Sequence, residues 1–382
     1  MVSVRQKKQF QKAKLKIAPM INRSTRILFL ARRYPPSIGG IETHCYELHE
    51  RLKLRASVRL VALRKNSLLH LMWFLPYCLW TTFWAVFLRR VDVVYFADGV
   101  AGFIAPIVRP FGQARFCITI YGLEMTYKNS FARFLMQKGA KTCNDVAVIS
   151  ENTKSITANS GISQTKLSII HLGVEPQAYN TSRIDSIREK FEKQFSIDFK
   201  KDRVLFMFGR QVRRKGMAEF IEFGMPLLDS DIKLIVGGTG IEAKRILAAR
   251  EANDLTERVI IMGSMPDDQL AMFRHNCDLF LMPNIQIPND VEGFGQTQLE
   301  CMHAGMPVIA FAVDALTESI KEGGFLIEPN NYAAFINQIH SYFKLTEIER
   351  ETLQEICRNY VRSNYSWNTA TDRYIELFQK KT

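Results

Sequence analysis

The chain has 382 residues, of which 47% are hydrophobic and 11% aromatic, and its formal net charge is +13. This length is sufficient for two domains that each bury a core, and no low-complexity stretch or repeat of fixed period is present, so we predict a folded globular protein. Seven cysteines are scattered without a C-x-x-C pair. This pattern indicates free thiols in a reducing setting and argues against a structural metal.

The positive charge is concentrated in the N-terminal half. Residues 1–200 carry 31 Lys and Arg against 13 Asp and Glu, whereas residues 201–382 carry 20 against 25. Residues 1–33 contain ten basic residues and no acid, and residues 51–91 contain eight more, again with no acid. Clustered like charge favours an anionic partner, with a solvated basic surface as the alternative. Because no nucleic-acid-binding motif accompanies the charge, we predict an anionic membrane surface and no nucleic acid.

Short apolar segments alternate with amphipathic ones after a basic N-terminal leader, residues 1–24, which is typical of parallel sheets with crossover helices. The predicted strands of the first half are 26–31, 57–63, 92–96, 115–120, 145–149 and 167–171. A polar stretch at 177–201 marks the domain boundary, and the predicted strands of the second half are 203–208, 231–236, 257–262, 277–282, 307–310 and 324–328.

These elements predict an α/β fold of two Rossmann-like, doubly wound domains that face a central cleft. We place the domains at residues 25–190 and 191–365, followed by a C-terminal helix at 366–382 that crosses back to the first domain. In such sheets a ligand binds outside the carboxyl ends of the strands.

Residues 67–88 contain no Asp, Glu, Lys or Arg. A segment of this length would be able to span a membrane. A span would place strands 57–63 and 92–96 on opposite sides of the bilayer, and Pro76 interrupts the helix. Aromatic residues favoured at a lipid–water boundary recur here, namely Trp73, Tyr77, Trp80 and Trp84. We therefore favour a helix lying in the membrane interface, with a buried or dimer-forming helix and a true span as alternatives. The leader lacks the apolar core of a cleavable signal.

The strongest local pattern is the segment 292–300, EGFGQTQLE, which follows a predicted strand and opens a helix. Glycines there let a backbone approach a ligand, and free N–H groups at a helix start receive phosphate. Glu292 and Glu300 are each able to accept hydrogen bonds from a pair of hydroxyls, and a nucleotide sugar has one diol on its sugar and one on its ribose. The alternative is a helix-start acid with an ordinary surface Glu.

This segment, followed by HAGMPV at 303–308, resembles the family-four group of retaining glycosyltransferases with the GT-B architecture, and the resemblance extends from about residue 25. It implies that the first domain, 25–190, is the acceptor domain and the second, 191–365, the nucleotide-sugar domain. In the second, Glu292 holds the donor sugar and Glu300 the ribose. It also implies that the backbone of the intervening loop contacts the phosphate and sugar, through Phe294, Gly295, Gln296 and Thr297.

The segment 208–216, FGRQVRRKG, is similar to the Gly-Arg and Lys-Gly loop of the same family. The resemblance places Arg210 and Lys215 where two cations neutralise a departing diphosphate, an electrostatic role that lowers the barrier. Arg213 and Arg214 have the alternative of a solvated turn. Gly209 belongs to this loop, and Gly238, in the run GGTG at 237–240, resembles the glycine loop near the nucleotide.

In the first half, Gly39 and Gly40 open a helix and match the glycine pair that faces the donor phosphates. Tyr121 starts the run YGLE where relatives have His-Gly-x-Asp or His-Gly-x-Glu, a departure that removes an imidazole and leaves a phenol able to hydrogen-bond the donor. The run HLGV at 171–174 resembles a turn before the linker.

The implied reaction is transfer of a hexose, with retention, from a nucleoside-diphosphate sugar to a lipid-linked or polysaccharide acceptor at the cytoplasmic membrane face. The nucleotide sugar is a substrate, and we expect no cofactor and no metal. Asp229 and Asp231 have the spacing of metal-binding carboxylates but precede a strand, away from the cleft, so we interpret them as a turn. The alternatives are a sugar-nucleotide epimerase of similar fold and a catalytically degenerate membrane-bound scaffold.

Overall fold

The computed structural model describes residues 25–37, 39–64, 68–175, 179–288 and 290–380. The predicted leader at 1–24 lies outside the described residues. Two parallel sheets of six strands each form the centre of the molecule.

The first sheet contains the strands of the N-terminal half. They are β1 (Arg26–Ala31), β2 (Ser57–Ala62), β3 (Val93–Phe96), β4 (Arg115–Ile120), β5 (Asp145–Val148) and β6 (Leu167–Ile169). Their spatial order is β2-β1-β3-β4-β5-β6. The chain therefore reverses its direction of growth between β1 and β3, and such a switch point leaves a crevice at the carboxyl ends of the two strands.

The second sheet repeats this arrangement. Its strands are β7 (Arg203–Phe208), β8 (Ile232–Gly237), β9 (Val259–Gly263), β10 (Leu279–Met282), β11 (Val308–Phe311) and β12 (Gly324–Ile327). In the order β12-β11-β10-β7-β8-β9 the switch point lies between β7 and β10. The central strands are buried along most of their length, as expected of parallel sheets that are covered by helices on both faces.

The helices alternate with the strands along the chain. Those of the first half are α1 (Gly40–Leu52), α2 (Leu68–Phe87), α3 (Ala105–Val108), α4 (Ser130–Thr142) and α5 (Glu151–Asn159). Those that follow are α6 (Thr181–Phe195), α7 (Met217–Phe223), α8 (Ala243–Ala252), α9 (Asp267–Asn276), α10 (Gln296–Ala304), α11 (Leu316–Ser319), α12 (Tyr332–Phe343), α13 (Glu347–Asn364) and α14 (Trp367–Gln379).

Each strand that the alternating pattern predicts is present in the structure. Their ends agree with the prediction to within two residues. The two-domain α/β architecture is thereby confirmed. The seven cysteines are free and buried, so each fills core space as a small apolar side chain.

Two helices determine where the domains meet. The predicted boundary between residues 190 and 191 falls inside α6, and α6 packs on the second domain, where Phe191 contacts Phe273 of α9. The first domain therefore ends before Thr181. The last helix, α14, packs on the first sheet, where the Tyr374 hydroxyl lies 2.9 Å from the Thr119 hydroxyl of β4.

Helix α2 is apolar on both faces. One face, which includes Phe74, Cys78 and Val86, is buried in the first domain. The other is exposed, with Trp73 82% and Trp80 65% accessible to solvent. In the part of the chain that the structure describes, no helix combines the length and apolar character needed to cross a membrane.

Candidate functional site

An ion pair occupies the switch point of the second sheet. Lys215, in the helical turn after β7, places Nζ 2.6 Å from Oε2 of Glu292, in the loop after β10. The Asn284 side-chain amide donates a second hydrogen bond to the same oxygen at 3.1 Å. The Glu292 backbone N–H donates to the Asp314 carboxylate at 2.9 Å. Groups from both strands of the switch point therefore fix the position of this carboxylate.

The charge state of the pair follows from its surroundings. Burial alone would raise the pKa of Glu292, but Lys215 and Arg214 outweigh burial and lower that pKa to about 2. Burial lowers the pKa of Lys215. The charge of Arg214 lowers it further, whereas the charge of Glu292 raises it. Glu292 is therefore ionised and able to accept hydrogen bonds from hydroxyl groups at neutral pH.

Arg214 is part of this site rather than a solvated residue. Its side chain is buried, with Nη2 3.8 Å from Glu292 Oε2 and Nε 3.4 Å from Asp290 Oδ1. Nη1 is buried and has no hydrogen-bond partner among the described residues. Buried donors are almost always satisfied, so this N–H group is available to an anion that enters the cleft. Arg213, by contrast, is exposed, as the solvated alternative expected.

Arg210 follows β7 directly after Gly209 and is exposed to solvent. The glycine loops beneath it pack backbone against backbone, because a β-carbon on Gly238 would overlap the carbonyl oxygen of Gly209. Gly238 also has a φ of +111°, in the region that favours glycine. Gly238 therefore has a steric reason for being glycine, and Gly209 has a conformational one, since its φ is +153°.

The loop before α10 is oriented by aromatic packing. The buried ring of Phe294 stacks on His171, with ring centroids 5.4 Å apart, and meets Tyr365 edge to face. Gly295 caps α10 with a φ of 75°, a left-handed conformation that glycine adopts without steric cost. The Phe294 ring thus holds the loop in place. The contact with a donor that the resemblance implies would therefore be made by the backbone of Phe294, because its ring is buried. Thr297, in the first turn of α10, is half-buried.

The first domain approaches this loop closely. A β-carbon on Gly293 would lie 2.8 Å from the carbonyl oxygen of Tyr121. The Ser150 hydroxyl donates to the Gly293 carbonyl at 2.9 Å. Gly39 and Gly40, at the start of α1, face α10, since Gln296 Oε1 is 3.1 Å from a β-carbon position on Gly40. The predicted phosphate-facing glycines of both domains therefore lie on the two walls of one cleft.

Tyr121, for which the resemblance leads us to expect a histidine, is buried just after β4. Its hydroxyl has no hydrogen-bond partner among the described residues. Its ring meets the buried imidazole of His44 edge to face at 5.7 Å. Burial lowers the pKa of His44 to about 3, so that imidazole is neutral and does not restore the missing histidine's charge.

Glu300 lies one turn into α10 and forms an ion pair with Arg274 of α9. Burial raises the pKa of Glu300, and the charge of Asp267 adds to the rise while Arg274 opposes it. The two side chains line a cavity of about 220 Å³, together with Tyr179, His275 and Arg358. Glu300 and Glu292 therefore occupy separate surroundings, one against α9 and the other against the β7 turn.

Asp229 and Asp231 hold a structural position, as predicted. Arg203 at the amino end of β7 pairs with both, at 3.0 Å to Asp229. Across the described ranges, no group of three or more His, Cys, Asp or Glu side chains has an arrangement that would hold a metal ion.

Comparison with known families finds a match in the second half of the chain. The model of the family glycosyl transferases group 1 matches residues 188–362, which include the Lys215 turn, Glu292 and α10. This part of the chain is therefore similar to the group 1 glycosyltransferases, which confirms the resemblance to that group over residues 188–362.

The curated relatives of this chain are distant. The capsular polysaccharide biosynthesis glycosyltransferase CapM of Staphylococcus aureus is 26% identical over 262 residues, 65% of this chain and 66% of that protein. The 2-deoxystreptamine glucosyltransferase of Streptomyces kanamyceticus is 25% identical over 178 residues, 46% of this chain and 44% of that protein. The chain thus spans about half to two thirds of the length of these relatives.

Solved structures match nearly the whole length of this chain. HepE of Anabaena, in complex with UDP and glucose, has a TM-score of 0.72 at 16% identity, covering 92% of this chain and 98% of that one. The catalytic domain of starch synthase IV from Arabidopsis thaliana, bound to ADP and acarbose, has a TM-score of 0.75 at 13% identity, covering 93% and 99%. At this identity the likeness shows the fold, which is GT-B, as the sequence predicted.

Sequence reasoning missed three groups around Glu292. Arg214 had been assigned the alternative of a solvated turn, and neither Asn284 nor Asp314 had been selected. The run of three basic residues at 213–215 was a signal for Arg214, because a helical turn brings neighbouring side chains to different sides. Asn284 follows β10 by two residues at the switch-point edge, where polar side chains meet ligands. Asp314 carried no comparable signal.

Proposed function

We propose that this chain transfers a hexose from a nucleoside-diphosphate sugar to a lipid-linked or saccharide acceptor, with retention at the anomeric carbon. The observation that carries the proposal is the buried Lys215–Glu292 pair, at 2.6 Å, on the switch point of the second sheet. It combines a carboxylate for sugar hydroxyls with cations for a diphosphate, opposite the Gly39–Gly40 turn of the other domain.

In this proposal Glu292 accepts hydrogen bonds from the donor sugar, and Lys215 turns towards the diphosphate when the donor binds. Arg214 and Asn284 then remain on Glu292 and keep it ionised and oriented. The exposed Arg210 adds a further cation, and the backbone from Phe294 to Thr297 offers N–H groups at the start of α10. Glu300 binds the ribose by exchanging part of its contact with Arg274.

The chemical step needs no enzyme nucleophile. The bond from the anomeric carbon to the diphosphate oxygen breaks, and the acceptor oxygen bonds to the same face of that carbon. The acceptor proton passes to the departing diphosphate. Positive side chains already in place stabilise the negative charge that develops on the leaving group. Arg210, Arg214 and Lys215 supply that charge, so we expect turnover to persist in the presence of a metal chelator.

The acceptor side of the proposal includes a membrane. The exposed face of α2 combines Trp73, Tyr77 and Trp80, and basic residues, Arg64 before the helix and Arg89 and Arg90 after it, are exposed at its two ends. Aromatic insertion together with attraction to anionic lipid is a two-part anchor used by peripheral proteins. The relative CapM is named for capsular polysaccharide biosynthesis, which supports a saccharide acceptor. We place that acceptor at the cytoplasmic membrane face because of the two-part anchor.

The test is donor turnover by the purified full chain. UDP-glucose, UDP-N-acetylglucosamine and GDP-mannose are supplied in turn, and release of nucleoside diphosphate is measured with water and with lipid-linked or sugar acceptors. Binding of UDP, GDP and ADP is followed by thermal shift, because a ligand that binds only the folded state raises the melting temperature. We expect one donor to be turned over and Glu292→Gln to lose that turnover. Epimerised nucleotide sugar as the product, or no turnover with binding intact, would contradict the proposal.

A further inference from the structure

A carboxylate of the second domain joins the two domains beside the loop at 292–297, which we call the donor loop. Glu318, in α11, accepts a hydrogen bond from the Glu151 backbone N–H at 2.7 Å, and its other oxygen lies 2.6 Å from His171 Nε2. Glu151 begins α5 and His171 follows β6, so both partners belong to the first domain. The start of a helix has unpaired N–H groups and a partial positive charge, which makes it a favourable partner for a carboxylate. We call Glu318 and these two partners the interdomain contact.

The charge of Glu318 follows from these partners. Only 14% of its side chain is exposed, and burial alone would raise its pKa. The hydrogen bonds from His171 and from the Glu151 backbone outweigh burial and lower the pKa of Glu318 below its ordinary value. An ionised carboxylate only accepts hydrogen bonds, so His171 donates from Nε2. One charged side chain of the second domain therefore binds donors on two separate elements of the first.

The same histidine supports the donor loop. The His171 ring stacks on the buried Phe294 ring, with centroids 5.4 Å apart and planes 12° from parallel. A ring N–H donates in the plane of the ring, so the hydrogen bond to Glu318 fixes the orientation in which His171 stacks. Tyr365 meets both rings edge to face, and its hydroxyl donates to the Glu318 carbonyl oxygen at 3.2 Å. Glu318 thus acts on Phe294 through His171.

A second link to the donor loop is made by the residue that caps α5. The Ser150 hydroxyl donates to the Gly293 carbonyl oxygen at 2.9 Å. Gly293 and Phe294 are consecutive, so the first domain holds the donor loop at two adjacent residues, once by a hydrogen bond and once by ring stacking. Both links break when the domains separate, because Ser150 and His171 then move with the first sheet.

We propose that Glu318 and His171 are positioning residues, which hold the donor loop in its active conformation only while the two domains are in contact. Neither side chain touches the donor, and both act through Phe294 and the backbone that follows it. The inference rests on the proposed transferase function, because that function assigns the loop to the donor phosphate and sugar. It adds a coupling between the domains: the first domain has to be in place before the loop that binds the donor is.

Four single variants and one double variant test this coupling. Glu318→Gln keeps the size of the side chain but offers one acceptor oxygen to two donors. His171→Phe keeps a ring on Phe294 and loses the hydrogen bond, whereas His171→Ala loses both, and the double variant combines Glu318→Gln with His171→Ala. Glu322→Gln is the matched control, because Glu322 lies in the next helical turn and is exposed. The readouts are kcat at saturating donor and acceptor, the Kd for whichever of UDP, GDP and ADP binds, the Tm, and the radius of gyration from solution scattering.

We expect kcat to fall at least about tenfold in Glu318→Gln and in His171→Ala, but only about threefold in His171→Phe, whose ring still stacks. The Kd should rise by less than about threefold, because the cations and Glu300 that bind the nucleotide are unchanged. The double variant should be less than about threefold slower than the slower single variant, because Glu318 acts through His171. Unchanged kcat in Glu318→Gln, losses that multiply in the double variant, or equal rates for His171→Phe and His171→Ala would overturn the proposal.

The Tm and the radius of gyration separate this inference from the proposed function. Every variant should remain folded at the assay temperature, so that a slower rate reflects the loop and not unfolding. If the wild type turns over no donor, the proposed function fails, and the radius of gyration then decides on the interdomain contact. A larger radius in Glu318→Gln than in the wild type and Glu322→Gln would support the contact, whereas equal radii would overturn it.

Discussion

Gln296 of the second domain faces Gly40 of the first, and its Oε1 lies 3.1 Å from the position that a β-carbon on Gly40 would occupy. The two residues begin α10 and α1, whose N-termini both point at the cleft. A side chain at residue 40 would therefore enter the space in which we place the donor phosphates.

We predict that Gly40→Ala weakens nucleotide binding without weakening the fold. Gly40 is not among the glycines with positive φ, so alanine is tolerated at this helix start and reduces the freedom of the unfolded chain. We expect the Kd for the preferred nucleoside diphosphate to rise about tenfold, equivalent to about 1.4 kcal/mol. Isothermal titration measures the Kd, and a thermal melt should show an unchanged or higher Tm. An unaltered Kd would place the phosphates elsewhere.

Replacement of the cations beside the diphosphate should slow transfer. We expect Lys215→Ala and Arg210→Ala each to reduce the rate at least about tenfold, or about 1.4 kcal/mol of transition-state stabilisation. Arg213→Ala is the matched control, because Arg213 belongs to the same turn but is exposed. Its nearest carboxylate is that of Glu219, at 3.9 Å, so it does not take part in the Glu292 site. Single-turnover kinetics would measure the three rates. Equal rates for all three variants and the wild type would make the turn irrelevant to catalysis.

Glu292 should leave a signature in the acid stability of the protein. Its pKa falls from an ordinary 4.5 to about 2 in the folded state. A depressed carboxyl pKa stabilises the fold above the unfolded pKa, and this contribution is lost as the pH falls towards the folded pKa. As the pH falls from about 4.5 to about 2, the free energy of unfolding of the wild type should therefore decrease relative to that of Glu292→Gln. Denaturant titrations across this range measure it, and parallel curves would refute the ion pair.

Transfer should depend on Glu292 more strongly than binding does. We expect Glu292→Ala to abolish nearly all transfer, because the carboxylate is assigned to the donor sugar. Nucleoside-diphosphate binding should persist, since a nucleoside diphosphate lacks that sugar. A Glu292→Ala variant with most of the wild-type rate would show that the donor site has been misassigned.

A conservative variant is needed at Glu300 because Glu300 forms an ion pair with Arg274. Glu300→Ala would leave a largely buried guanidinium without its carboxylate, a change that destabilises folds by itself. Glu300→Gln retains the shape, and we expect it to weaken nucleotide binding while the transfer rate at saturating donor changes little. Titration with ribonucleoside and 2′-deoxyribonucleoside diphosphates separates the two roles. If Glu300 binds the ribose, the wild type should prefer the ribonucleotide and the variant should lose that preference.

Helix α2 should bind anionic membranes through its exposed aromatic face. Replacing Trp73, Trp80 and Trp84 with Ser should reduce sedimentation with vesicles that contain anionic lipid and leave the Tm nearly unchanged, because these side chains lie outside the core. Ile241→Ser is the matched control, since Ile241 is 86% exposed but lies on the second domain. Binding should weaken with added salt, which shortens the Debye length from about 8 Å at physiological ionic strength, and on deletion of residues 1–20. Equal, salt-insensitive binding to neutral vesicles would remove the electrostatic part, and self-association without vesicle binding would favour a dimer.

The amino-acid sequence determined the elements of this protein and much of its donor site. A strand buried on both faces must be apolar along its length, so the central strands of both sheets were visible as local runs. The glycine turns and the paired glutamates were visible for the same reason, because the requirement for a close backbone approach lies within a few neighbouring residues. The family resemblance then assigned Glu292 and Lys215, which the structure brings within 2.6 Å of each other.

Only the tertiary structure decided which distant side chains share an environment. The basic run at 213–215 indicates side chains on different sides of a turn, but which of them is buried depends on the loop after β10, against which Arg214 packs. Asp98 likewise follows an ordinary strand, and only the strand order brings it beside Arg32, which follows β1. The exposure of α2 was equally undecided, since an apolar helix is compatible with a core or a lipid surface. The local sequence determines the backbone conformation and polarity of a segment, whereas strand order and domain packing determine which distant side chains it contacts.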